Sequence, residues 1–183
     1  MSEIVAVFGS SAPAPDSAAY LEARRLGQLL AEAGLTVATG GYGGTMAAVS
    51  QGAAEAGGHV IGVTANYIER YRPTPPNEWV AEEIRLDSQR DRLLHLVMNN
   101  DAMIALPGGI GTLSEVALAW SLLQTGELAA RPLVLLGPVW RETIRTFAQA
   151  ETIRPRDLDL LYLATSSETA VAYVKQSLVA RPA

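Results

Sequence analysis

Apolar residues in this chain fall into short continuous runs, separated by longer stretches in which they recur every three or four positions. Ile4-Val5-Ala6-Val7-Phe8, Leu35-Thr36-Val37-Ala38-Thr39, His59-Val60-Ile61-Gly62-Val63, Ala102-Met103-Ile104-Ala105 and Pro132-Leu133-Val134-Leu135-Leu136 are of strand length and lack polar alternation. After the first run, Asp16 or Ser17 can cap a helix whose positions Ala19, Leu21, Leu26, Leu29, Leu30 and Ala33 keep helical spacing until Gly34. Further helices are predicted at about 45–56, 88–99, 139–150 and 167–179, and from the turn at 107–112 to Thr125, where Gly126 marks the exit. Extended pieces are expected around 80–86 and, after Pro155, near 160–163, whereas the proline-bearing stretch 66–78 reads as an irregular loop. Strands that are apolar on both sides and alternate with helices indicate a parallel sheet covered on both faces. The expected fold class is α/β: a doubly wound, Rossmann-like parallel sheet in a single domain over 1–183.

Composition narrows the function. With 183 residues, 49% hydrophobic and 18% charged, the chain can bury a sizeable core. A net charge of −5 argues against nucleic acid as a partner. The absence of cysteine excludes disulfides, zinc–thiolate sites and thiol nucleophiles. His59 and His95 are too far apart to form a metal site and read as structural, so neither a metal nor a cofactor is expected. Met1-Ser2-Glu3-Ile4 is not the start of a signal peptide, and no apolar run approaches the roughly 18 residues of a membrane span, so a cytoplasmic protein without a membrane partner is expected. Lys175 is the only lysine and lies on the terminal helix, which leaves Schiff-base chemistry poorly supported.

Three glycine-bearing turns follow predicted strands: Gly9-Ser10-Ser11, Gly40 to Gly44, and Pro107 to Thr112. In open parallel sheets ligands sit beyond the carboxyl ends of the strands, near the switch in strand order. Glycines there let the backbone approach a ligand, and a helix N-terminus offers unpaired N–H groups to an anion. The residues expected to cradle a phosphate or nucleotide are Gly9, Ser10, Gly40, Gly41, Gly44, Thr45, Pro107, Gly108, Gly109, Gly111 and Thr112, with the Thr112 hydroxyl as an added donor. None of the turns is a Walker loop, and the first lacks the Gly-x-Gly-x-x-Gly fingerprint, which disfavours hydride transfer. Glu115, one turn into the helix, faces the same spot; a carboxylate there serves chemistry or merely the helix dipole. Tyr42 and Asn66 are left open as pocket residues. Trp120 and Leu122 read as packing, and Glu82-Glu83 as a solvated face.

Pro107-Gly108-Gly109-Ile110-Gly111-Thr112-Leu113-Ser114-Glu115 resembles the Pro-Gly-Gly-x-Gly-Thr-x-x-Glu signature of the LOG ("Lonely guy") family of cytokinin riboside 5′-monophosphate phosphoribohydrolases, long mislabelled as lysine decarboxylases. Gly40-Gly41-Tyr42-Gly43-Gly44-Thr45-Met46 resembles its Gly-Gly-Gly-x-x-Gly-Leu-Met element, with Thr39 in place of the first glycine. The family's Met-x-x-Arg-Lys-x-x-Met element corresponds to Gln89-Arg90-Asp91-Arg92-Leu93-Leu94-His95-Leu96, in which the arginine is Arg92, with Arg90 as a rival, and the lysine position holds Leu93. That departure is similar to the branch containing molybdenum-cofactor carrier proteins. The resemblance implies a catalytic pair, Glu115 and Arg92, acting on the N-glycosidic bond of a nucleoside 5′-monophosphate, with a non-catalytic molybdenum-cofactor carrier or nucleotide sensor as the alternative. It also implies a homo-oligomer, dimer or tetramer. Without the resemblance, Arg92 reads as a partner for glutamates on its own helix surface.

Overall fold

The computed structural model describes residues 2–71, 73–149 and 152–180. The chain runs β1 (Ile4–Phe8), α1 (Ala18–Glu32), β2 (Thr36–Thr39), α2 (Thr45–Glu55), β3 (Val60–Ala65), α3 (Asn66–Tyr71), β4 (Glu82–Leu86), α4 (Gln89–Met98), β5 (Ala102–Ala105), α5 (Ile110–Thr125), β6 (Leu133–Leu136), α6 (Pro138–Phe147), α7 (Pro155–Leu158), β7 (Tyr162–Ala164) and α8 (Ser167–Val179). Among the described residues seven strands form one sheet in the order β4-β3-β2-β1-β5-β6-β7, and every neighbouring pair is parallel. This is the α/β, Rossmann-like architecture that the run-and-period pattern predicts.

Strand periodicity divides the core. Val5 and Val7 of β1, Val37 of β2 and Ile104 of β5 point to the face covered by α1, α2 and α8. Ala6, Phe8, Ala38, Met103 and Ala105 point to the face covered by α4, α5 and α6. Because successive side chains alternate between faces, a strand buried on both sides must be apolar at every position. The chain winds outward from β1 through β4, then returns to lay β5 against the other edge of β1. Connections leaving β1 and β5 therefore diverge, opening a crevice at the carboxyl ends.

Local chemistry explains the helix ends. Ser17, rather than Asp16, caps α1, its hydroxyl accepting the Tyr20 N–H at 3.3 Å. Gly27 of α1 and Gly52 of α2 allow these helices to touch backbone to backbone: a Cβ at either would run into a carbonyl oxygen, of Val49 or Arg24 respectively.

The stretch 66–78 is not wholly a loop. Asn66–Tyr71 forms α3, held to the β4 edge by Tyr67 N–H on the Asp87 carbonyl, Asn66 on the Asp87 carboxylate, and an Arg85–Glu69 ion pair at 2.7 Å. The prolines lie beyond this turn, where they block only its extension. A second short helix, α7, has Pro155 at its start and Asp157 accepting the Arg154 N–H at 3.3 Å. It displaces the following strand to Tyr162–Ala164. α6 ends at Phe147. The expected end of that helix, Ala150, lies outside the described residues, as do Met1 and residues 181–183 of the expected domain span.

Candidate active site

Beyond the carboxyl ends of β1, β2 and β5 lies a cavity of about 210 Å³. Gly9, Ser10, Gly40, Gly109, Gly111, Thr112, Arg92 and Glu115 line it, joined by Tyr42, Met46, Phe8 and Ile68. Three segments far apart in sequence thus converge because their strands are neighbours.

The α5 terminus forms one wall of the cavity. Gly109 is its N-cap and carries no side-chain cap. The first helical bond runs from Leu113 N–H to the Gly109 carbonyl at 3.0 Å, so the N–H groups of residues 110–112 precede the helical ladder. Gly109, Gly111 and Thr112 of this terminus line the cavity, which places the positive end of the helix dipole beside it. The Thr112 hydroxyl donates to the Gly9 carbonyl at 3.0 Å, so its proton is spent joining two walls of the site.

Gly41, Gly44, Thr45, Pro107 and Gly108 do not line this cavity; they hold the turns that do. Thr45 accepts the Ser10 N–H at 2.9 Å, while its own N–H donates to the Ser10 carbonyl at 2.8 Å. Gly44 has φ +65°, and a Cβ there would run into the Ser10 carbonyl. The Gly41 carbonyl accepts both the backbone N–H of Asn77 at 2.8 Å and its side-chain amide at 3.0 Å. Gly108 lies against Thr112, and Pro107 against Gly137.

Arg92 comes from the first turns of α4, which Ser88 caps. It is buried, not paired on its helix surface: Nε donates to the Val63 carbonyl at 2.7 Å and Nη2 to the Gly40 carbonyl at 3.0 Å. A Cβ on Gly40 would run into Nη2, so a larger residue there would displace the guanidinium from this carbonyl. The remaining nitrogen, Nη1, faces Glu115 Oε1 at 4.0 Å. The rival Arg90 is exposed and pairs with Asp91 at 3.2 Å. Burial pulls the Arg92 guanidinium down from its ordinary value, against the opposing pull of Glu115; it remains a cation. Glu115 is 7% exposed. Burial pushes its carboxyl up to about 7, with Arg92 drawing it back toward the ionised form.

Tyr42, left open in the sequence, is buried with its ring 5.6 Å from the Arg92 carbon Cζ. Asn66 instead bonds Asp87 and Arg85. Phe8, Met46 and Ile68 also line the cavity without a signal in the sequence: the strand and helix positions of Phe8 and Met46 suit core packing equally well, and Ile68 lies in the stretch expected to be a loop. Asn77 was also missed, because nothing local in a proline-rich segment signals that its amide clasps the Gly41 and Tyr42 carbonyls. His59 pairs with Glu82 at 3.0 Å, away from the cavity. Among the described residues, no group of three or more His, Asp or Glu side chains could hold a metal ion, and no helix is long and apolar enough to cross a membrane.

A family model described as the SLOG cluster4 family matches residues 2–154. A cytokinin riboside 5′-monophosphate phosphoribohydrolase of Mycobacterium tuberculosis is 34% identical over 138 residues, 73% of this chain and 70% of that protein. A probable enzyme of the same description from Oryza sativa subsp. japonica is 36% identical over 127 residues, 66% of this chain; the match spans about half, 49%, of the rice protein. The molybdenum cofactor carrier protein of Chlamydomonas reinhardtii superposes with a TM-score of 0.73 at 30% identity, covering 98% of this chain and 99% of that one.

Proposed function

The chain belongs to the SLOG cluster4 family, and from that premise we propose that it is a phosphoribohydrolase cleaving a nucleoside 5′-monophosphate, of the AMP or cytokinin riboside monophosphate type, into free base and ribose 5-phosphate. One observation carries the reading: a buried carboxylate–guanidinium pair, Glu115 and Arg92, shares its cavity with the uncapped N-terminus of α5.

In this reading the 5′-phosphate rests on the N–H groups at 110–112 and the Gly9–Ser10 turn, which brings the ribose over Glu115. Breaking the C1′–N bond sends its electron pair to the base and leaves an oxocarbenium-like sugar. The Glu115 carboxylate stabilises that positive charge and orients the water whose oxygen bonds to C1′, and the proton that this water sheds ends on the departing base. Arg92 orients the carboxylate and holds it ionised at the moment of reaction.

The test is incubation with AMP and chromatography for free adenine, with Glu115→Ala in parallel. Wild type is expected to release adenine, and the variant to be slower by on the order of 10²-fold or more. No release, with AMP still raising the melting temperature, would leave a nucleotide pocket without this chemistry.

A second reading, a molybdenum-cofactor carrier, is favoured by the end-to-end likeness to the algal carrier and by Leu93 at the family's lysine position. Molybdenum and pterin fluorescence copurifying with the protein, and no adenine release, would select it.

A further inference from the structure

We propose that Tyr42 positions the Arg92 guanidinium against Glu115; its kinetic consequence rests on the phosphoribohydrolase reading, its structural consequence does not. The Tyr42 ring is 2% exposed, and Arg92 Cζ lies 5.6 Å from its centroid. Both ends of the residue are fastened. Its hydroxyl accepts the Ala65 N–H at 3.0 Å and donates to the Ala65 carbonyl at 3.4 Å, while its own carbonyl accepts the Asn77 amide at 3.1 Å.

These attachments matter because of where Arg92 is held. Its two anchoring carbonyls belong to Gly40, two residues before Tyr42, and Val63, two residues before Ala65. Tyr42 therefore lies across the same two segments, the turn after β2 and the end of β3, and its buried ring sits over the guanidinium that bridges their carbonyls. With Nε and Nη2 so engaged, Nη1 is the nitrogen left to face Glu115, at 4.0 Å. The aromatic face also covers a desolvated cation, which stabilises it and keeps water from screening its attraction to the carboxylate. A phenylalanine keeps that face and loses the hydroxyl; a leucine loses both while filling much of the space.

The experiment compares wild type, Tyr42→Phe and Tyr42→Leu by adenine release from AMP and by the Arg92 Nε–H resonance in ¹H–¹⁵N spectra, after melting curves confirm folding. Tyr42→Leu is expected to lower kcat about tenfold with KM held within about twofold, and Tyr42→Phe to stay within about threefold. The Nε–H, bonded to the Val63 carbonyl, exchanges slowly in wild type and Tyr42→Phe, and its protection is lost in Tyr42→Leu. Tyr42→Met carries the comparison if the leucine variant melts below the assay temperature. Unchanged kcat or unchanged Nε–H protection in the leucine variant overturns the proposal. So does a phenylalanine variant as impaired as the leucine one. If wild type releases no base while the Nε–H still responds to leucine and not to phenylalanine, the reaction falls and the positioning of Arg92 stands.

Discussion

Glu115 is the residue whose environment departs furthest from what its position along the chain suggests. A carboxylate in the first turns of a helix ordinarily gains from the dipole, yet here burial outweighs that gain and raises it to about 7. If the carboxylate is the form that stabilises the sugar cation, kcat/KM for AMP rises with pH up to about 7 and levels above it, read from initial rates between pH 5 and 9. Stability carries the opposite sign. The folded protein binds this proton more tightly than an unfolded chain with its ordinary value of 4.5. The folded state is therefore favoured below that value and loses the advantage, on the order of 3 kcal/mol, as pH rises toward 7. Glu115→Gln, permanently neutral, is expected to melt above wild type at pH 8 and alongside it near pH 4.5. A difference independent of pH would mean that the carboxyl stays ionised throughout.

At the level of elements, the same substitution has opposite outcomes on different helices. Gly52 lies inside α2, where alanine would gain roughly 1 kcal/mol of helix propensity. Its Cβ would meet the Arg24 carbonyl at the crossing with α1, and overpacking costs about 1–3 kcal/mol. Gly52→Ala is therefore expected to lower the urea midpoint with an unchanged slope. A Cβ on Gly111 of α5 meets no protein atom within 4 Å, although the residue lines the cavity. Gly111→Ala is expected to keep or raise the melting temperature while shrinking the further rise that AMP produces. The glycine turn already marks Gly111 in the sequence, but nothing local marks Gly52 as a packing glycine; its contact with the Arg24 backbone shows that.

For the whole molecule, the strand order decides the outcome. The cradle draws on turns after β1, β2 and β5, so a ligand bound there touches both halves of the winding and exists only when the sheet is assembled. Binding to the folded state alone stabilises it by about 2.7 kcal/mol at a hundred times the dissociation constant. AMP is thus expected to raise the melting temperature in a concentration-dependent way, and Glu115→Ala to retain most of that rise because the proposed phosphate contacts are backbone groups. A flat response in both proteins would argue against a nucleotide at this site.

The alternation of strands and helices, the parallel sheet and the turns that bear the glycines are legible in the order of residues. These depend on local rules: apolar runs at strand length, helical spacing, and caps such as Ser17, Ser88 and Gly126. Glu115 also stands out by its place one turn into the helix after the glycine turn, and Arg92 through the family resemblance. Tertiary structure decided what those residues face. Arg92 turned inward because two carbonyls, one from the turn after β2 and one from β3, offered better partners than water or a surface glutamate. α3 formed against β4 through contacts that its six residues cannot announce. Tyr42 and Asn77 became parts of the site for the same reason: buried polar groups must find partners, and those partners lie on segments that only the folded sheet brings together.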